Sequence, residues 1–321
     1  MKKCLVVLGM HRSGTSAFTG VLDLLGVNLG TRMLETQHDN PKGFFENKYV
    51  VQANDCILES LRSSWDDPLP LPGDWQAHFE GSTLHKDIRT FLNTDMVEGR
   101  LTALKDPRLA RLLPIWLPHF RAEDVSLHIA IVIRNPLEIA ESLASRNNFS
   151  RQKSLLLWLL YMLDAEEHSR HLPRGFVHFD KLLADPRTAV SASFEQAGLA
   201  APDFGNTDEA ALGEFLDRNM RHHEYADADL DALCPALVAR YYRLLCAIAQ
   251  RGKPTEADLS AIDAIRSQLR GELALFYNAD VVQAARHVDG LTEPEWFARE
   301  LTKIRDNFER DKIYREYRYI A

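Results

Sequence analysis

The chain has 321 residues, 45% of them hydrophobic and 26% charged. This is the composition of a folded globular protein with enough length for a full core, and it excludes disorder as the default. The formal net charge of −8 excludes a general nucleic-acid surface, so any cationic site must be local. Four cysteines, Cys4, Cys56, Cys234 and Cys246, form no C-x-x-C pair and no regular framework, which argues for reduced thiols in a cytoplasmic protein.

The first element sets the pattern. Cys4 to Leu8 is an unbroken apolar run suited to a strand buried on both faces, and Gly9 ends it. The run is too short and too soon interrupted by His11 and Arg12 for a signal peptide, and no stretch of the chain approaches a membrane span. From Ala17 the apolar positions Phe18, Val21, Leu22 and Leu25 recur at helical spacing until Gly26. A strand, a glycine-bearing loop and a helix start form an anion cradle, because loop N–H groups and the helix N-terminus both favour negative charge. The spacing Gly9-x-x-x-x-Gly14 fits the Walker pattern G-x-x-x-x-G-K-S/T, and Ser16 stands at its hydroxyl position. The lysine position holds Thr15 instead. The cation inside the loop is Arg12, whose planar guanidinium can grip two oxygens of one tetrahedral anion.

Gly26 to Gly30 reads as a short strand or a turn, and Thr31 to Lys42 as a polar loop carrying Glu35, His38 and Asp39. Gly43-Phe-Phe-Glu-Asn47 follows. Phe44 and Phe45 read as anchors of that loop, while Glu46 is equally a structural acid and part of an active-site edge. Tyr49 to Leu61 and Leu84 to Val97 have helical spacing, and the prolines between Trp65 and Trp75 make that stretch a loop. Arg100 to Leu104 reads as a strand ending in Lys105-Asp106-Pro107-Arg108, charge at the sheet edge where open α/β folds bind ligands, with a surface turn as the plainer reading of Asp106.

Leu127 to Ile133 is the clearest buried strand; Arg134-Asn135-Pro136 follows, and Pro136 suits the first position of a helix. Ser142 stands eight residues after Arg134, so both can face one groove. Leu155 to Leu163 is an apolar helix, and the histidines beyond it, His168 and His171, read as a solvated face rather than a metal site. A strand over Gly175 to Phe179 and a helix over Thr188 to Ala197 complete an α/β alternation, which predicts a P-loop-type parallel sheet flanked by helices. Arg218 to His223 is a basic cluster in an expected loop. The core is expected over residues 1–225, followed over 226–321 by a helical C-terminal extension that packs on the core or mediates a homodimer. Its amphipathic helices run to Pro254, from about Glu256 to His287 and from Glu293 to Tyr317.

These segments together resemble the PAPS-dependent sulfotransferase family, in its bacterial and carbohydrate-modifying branch. Gly9-Met-His-Arg-Ser-Gly-Thr-Ser16 is similar to the family's 5′-phosphosulfate loop, and Val132-Ile-Arg-Asn-Pro136 with Ser142 to its 3′-phosphate motif. Asn40 to Glu46, Leu104 to Arg108 and Phe179 to Pro186 are similar to stretches common among bacterial members. The resemblance covers roughly the first two hundred residues. It implies PAPS as donor, PAP as product, no metal, and a small-molecule or glycan acceptor hydroxyl. It implies Arg12, Ser13, Gly14, Thr15, Ser16, Arg134 and Ser142 on the donor, with Arg218 and Arg221 as a late basic loop near it. Glu46 is the expected base, with Glu35 and His38 as alternatives, and Lys105 or Arg108 is expected to orient the acceptor or to assist at the leaving oxygen. A P-loop small-molecule kinase and a non-catalytic nucleotide-binding module are the competing readings; Thr15 in the lysine position speaks against the first.

Overall fold

The computed structural model describes residues 1–35, 43–71, 73–205, 209–216 and 225–276. His38, Arg218, Arg221 and the helices expected beyond 276 lie outside the described residues.

Four parallel strands form the sheet in the order β2-β1-β3-β4. They are β1 (Lys2–Leu8), β2 (Leu101–Lys105), β3 (Val125–Ile133) and β4 (Arg174–His178). The stretch from Gly26 to Gly30, read as a short strand or a turn, makes a single bridge between Asn28 and Thr102, with the Asn28 side chain donating to Thr102 Oγ1 at 2.9 Å. Phe179 leaves the sheet and opens a helix instead of ending β4.

The helices on the first half are α1 (Thr15–Leu24), α2 (Lys48–Ser60), α3 (Leu84–Asp95), α4 (Leu109–Ala122), α5 (Pro136–Asn147) and α6 (Arg151–Ser169). Those after β4 are α7 (Phe179–Ala184), α8 (Pro186–Gln196), α9 (Glu209–Phe215), α10 (Asp227–Leu233), α11 (Ala236–Arg251) and α12 (Glu256–Phe276). Helix α4 has no counterpart among the sequence expectations, and it carries Pro114 and Pro118 in its interior, residues that normally argue against a helix.

Side-chain alternation along the strands sorts the helices into two layers. Cys4, Val6 and Leu8 face a large cluster that includes Leu113 of α4, Leu137 of α5, Trp158 of α6 and Tyr241 of α11. Leu5 and Val7 face a smaller one with Phe18 of α1, Leu182 of α7, Phe194 of α8 and Leu212 of α9. Both faces of β1 are covered, which is why its sequence is a continuous apolar run.

The C-terminal segment packs on α6. Tyr241 Oη donates to the Met162 carbonyl at 2.9 Å. Glu166, 1% exposed, pairs with Arg170 at 2.7 Å, Arg174 at 3.1 Å and Arg266 of α12 at 3.2 Å. The solvated reading of His168 is corrected: it is partly buried, and its Nδ1 lies 2.9 Å from the Ala110 carbonyl. Asp164 and Glu167 approach His168, but they pair with Arg111 and Arg266.

Because every strand points the same way, the residues that follow β1, β2, β3 and β4 gather at one edge. The chain leaves β1 toward β2 on one side and leaves β3 toward β4 on the other, so the crevice between the β1 and β3 tips is the topological switch point.

Gly175 in β4 has no room for a side chain, since an added Cβ would stand 2.1 Å from the backbone oxygen of Ser193 in α8. Gly175→Ala is expected to lower unfolding stability by about 2 kcal/mol in urea titration. An unchanged midpoint would show that α8 is not pressed against β4.

Candidate active site

The loop between β1 and α1 is wound tightly. Gly14 has φ +95°, and a Cβ there would lie 2.2 Å from the ring of Phe179, so that ring seats on the loop. Arg12 is left-handed at φ +69° without being glycine, a conformation that costs roughly 1 kcal/mol. Helix α1 begins at Thr15, two residues earlier than the apolar spacing predicts, and has no side-chain cap. Thr15 and Ser16 therefore belong to its first turn, where the backbone N–H groups lack helical partners.

The structure brings Arg12, Ser142 and Arg134 together. Arg12 Nε donates to Ser142 Oγ at 2.8 Å, and Arg134 Nη1 donates to the Arg12 carbonyl at 3.1 Å. Arg134 Nε also donates to the fully buried Glu138 at 2.9 Å, and its guanidinium lies over Phe179 at 4.5 Å. Ser142 thus serves the loop arginine rather than Arg134. Ser13 lies deeper than expected: its hydroxyl is buried in the loop without a hydrogen-bond partner and is absent from the cavity wall.

Lys105, at the end of β2, is 3% exposed. Its ammonium donates to Ser16 Oγ at 3.0 Å, to the Phe44 carbonyl at 3.1 Å and to Glu46 Oε1. Glu46 is 6% exposed, and Arg108 Nη1 stands 3.9 Å from its second oxygen. Burial holds the Glu46 carboxyl above the usual carboxylate range; Asp106 adds to that rise, while Lys105 and Arg108 oppose it. Arg108 is fixed by Asp55 at 2.6 Å and by Asp106 at 2.9 Å. The surface-turn reading of Asp106 is corrected, since it is fully buried and accepts from Asn54 Nδ2 at 2.8 Å. Glu35 stands outside this cluster: its side chain is 88% exposed, and it pairs with Lys48 at 3.2 Å.

All of this opens on one cavity of about 430 Å3. Arg12, Thr15, Ser16, Glu46, Lys105, Arg108 and Arg134 line it together. Near α1 the wall is apolar, with Ala17, Phe45, Leu183, Phe215 and Leu216, and Phe45 meets Phe215 edge-to-face at 5.7 Å. Beyond Arg108 it carries His11, Trp65, Arg146 and Asn147. His11 packs on Trp65 with its ring tilted by 41° and the centroids 4.4 Å apart, and meets Tyr161 edge-on at 5.7 Å. Burial first, then the charges of Arg108, Lys105, Arg146 and Arg12, hold its imidazole well below the usual histidine range, so it is neutral. Sequence reasoning did not assign Phe179, Phe215, Trp65, His11 or Arg146 to a site. His11 alone carried a signal, its place inside the glycine loop; Phe215 reaches the cavity from a helix some two hundred residues further on.

No protein-family model matches the chain, and no curated protein matches it. Among solved structures, the chain is similar to the Sulfotransferase Domain from the Curacin Biosynthetic Pathway at 13% identity and a TM-score of 0.36, over 62% of this chain and 75% of that one. It is also similar to the Sulfotransferase Domain from the Synechococcus PCC 7002 Olefin Synthase at 15% identity and a TM-score of 0.37, over 75% of this chain and 87% of that one.

Lys105→Met would leave Glu46 buried without its nearest cation. The variant is expected to lose about 3 kcal/mol of stability at pH 8, by denaturant titration. The loss should shrink at pH 5, because a carboxyl with a raised folded pKa is taken up protonated as pH falls. A loss that is equal at both pH values would separate Lys105 from the charge of Glu46.

Proposed function

We propose that the chain transfers the sulfuryl group of PAPS to an acceptor hydroxyl on a carbohydrate or glycoconjugate and releases PAP. The observation that carries this reading is that one cavity at the strand tips holds both an arginine from the β1 loop and one from the β3 tip. The donor has two anionic ends, and Arg12 and Arg134 supply a guanidinium for each. The apolar wall of Phe45, Phe215 and Leu216 suits the adenine ring.

Each step can be assigned to this chain's residues. Arg12 and the first-turn N–H groups of α1 stabilise the charge that shifts onto the bridging oxygen. Lys105 and Ser16 stand beside them. Glu46 takes the proton of the acceptor hydroxyl as its oxygen bonds to sulfur. The bond from sulfur to the phosphate oxygen breaks, and its electron pair leaves with PAP. Protonation of Glu46 weakens its hold on Lys105, whose charge then turns toward the leaving oxygen. The raised pKa of the buried Glu46 makes it a better base than an exposed carboxylate.

The kinase reading meets a specific obstacle. Ser16 stands where a Walker loop holds magnesium, but its hydroxyl accepts from the Lys105 ammonium at 3.0 Å, and a second cation there would be repelled.

Calorimetric titration is expected to show PAP binding tighter than ATP with Mg2+. Arg12→Ala and Arg134→Ala should each weaken PAP by about tenfold or more, as loss of a charge-assisted contact does. Tighter binding of Mg-ATP would instead establish the kinase reading.

Glu46→Gln should lower kcat by about a hundredfold or more while the PAP affinity stays within about twofold. In the unaltered chain, activity should fall with acid at a pH above the usual carboxylate range, as Glu46 gains its proton. Turnover retained in Glu46→Gln but lost in Glu35→Gln would move the base to Glu35.

A further inference from the structure

Arg108 and Glu46 line the same cavity, yet the arginine is turned to other acids. Its Nε and Nη2 donate to the two oxygens of Asp55, on α2, at 2.6 and 3.3 Å, and its Nη1 donates to Asp106 Oδ1 at 2.9 Å. All three guanidinium nitrogens are thus held by carboxylates other than Glu46, whose Oε2 stands 3.9 Å from Nη1, beyond hydrogen-bond reach. Asp106 is held in turn. Asn54 Nδ2 donates to its second oxygen at 2.8 Å, and Asn54 Oδ1 accepts from the indole N–H of Trp116 at 2.9 Å. Asp106, Asn54 and Trp116 are fully buried, and a polar chain satisfied at each link is rigid.

We propose that Asp55 and Asp106 are positioning residues that keep the Arg108 guanidinium from closing on Glu46, so that the acid hydrogen-bonds Lys105 alone of the two cations and stays able to take a proton. This deepens the transfer reading above and rests on it for the role of Glu46. An arginine fork on a carboxylate is among the strongest pairs in a protein, and an arginine beside a carboxylate lowers its pKa by roughly 1–3. A base in that grip is a poor acceptor for the proton of a hydroxyl. The two aspartates engage the fork, while Arg108 still presents its charge to the cavity. Asp106 acts in the same direction through its own charge, which adds to the rise that burial gives Glu46. The charged groups facing Glu46 are Lys105, Asp106 and Arg108. Those facing Arg108 are Asp106, Asp55 and Glu46, with the Tyr161 phenol of α6, and Asp55 is also faced by Glu59 of its own helix. His11, near Arg108 and Lys105, is neutral.

The test is titration of the Glu46 carboxyl by carbon-13 NMR on the full chain, its signal identified by its loss in Glu46→Gln. Asp55→Asn, at a partly exposed residue, removes the charge behind two of the three arginine nitrogens. It should lower the Glu46 pKa by about one pH unit or more. Asp106→Asn should lower it as well; because Asp106 is fully buried, the Asp55 variant decides alone where that chain does not fold. In an Arg108→Gln background, whose amide keeps a donor for Asp106, Asp55→Asn should leave Glu46 nearly unmoved, since the cycle isolates what passes through Arg108. In turnover, the acid limb of the kcat profile should move to lower pH together with the carboxyl, a shift that a merely structural role of Asp55 would not give. A Glu46 pKa that stays or rises in Asp55→Asn overturns the proposal, and so does a fall of equal size without Arg108. A carboxyl that shifts as expected while the acid limb stays in place upholds the restraint on Arg108 and removes Glu46 as the base, so the two readings fail separately.

Discussion

The ammonium of Lys105 is the interaction on which the site depends. An ammonium taken out of water costs several kcal/mol unless oxygens replace the water it loses. Lys105 finds three of them, on Ser16 of α1, on the Phe44 backbone and on Glu46. The requirement runs both ways. The segment over residues 43–47 is drawn against the sheet edge because the lysine needs it, and the carboxylate of Glu46 is buried only because the lysine is there. The strand register fixes the height of this junction, since Lys105 pairs with Val7, next to the end of β1. The loop, the acid and the cation are thereby held at one level above the sheet.

The two arginines follow from the same geometry. Strands β1 and β3 are adjacent and parallel, so the residues that leave them emerge side by side. Arg134 grips the carbonyl of Arg12 and is itself held by Glu138 in the first turn of α5. Arg12 is turned toward α5 by Ser142. The result is that two arginines 122 positions apart in the chain line one cavity side by side.

Far from this edge, the junction of α6 with α12 shows how the C-terminal segment is tied down. Glu166 is buried among the guanidinium groups of Arg170, Arg174 and Arg266. A buried acid with several cations adds little net stability over an apolar contact, but removal of one partner is costly. It fixes where α12 sits along α6, while Tyr241 of α11 and its apolar neighbours supply the burial.

The sequence by itself determined the strand–loop–helix at the start, the charged tips of the second and third strands, and the parallel α/β alternation. Each of these is written in local periodicity and in residues a few positions apart, such as Gly9 with Gly14 or Ile133 with Arg134. Only the tertiary structure decided what those residues touch. Glu46 meets Lys105 across 59 positions, and Arg12 meets Ser142 across 130. Neither pairing has a spacing that a sequence can display, because the folding of the sheet, not the chain between them, sets the distance. The same reason hid α4, whose two prolines are tolerated inside a helix packed on α6 and β3. It also hid His11 as a wall of the cavity, since a loop histidine acquires a buried, unpartnered nitrogen only when Trp65 and Tyr161 close over it.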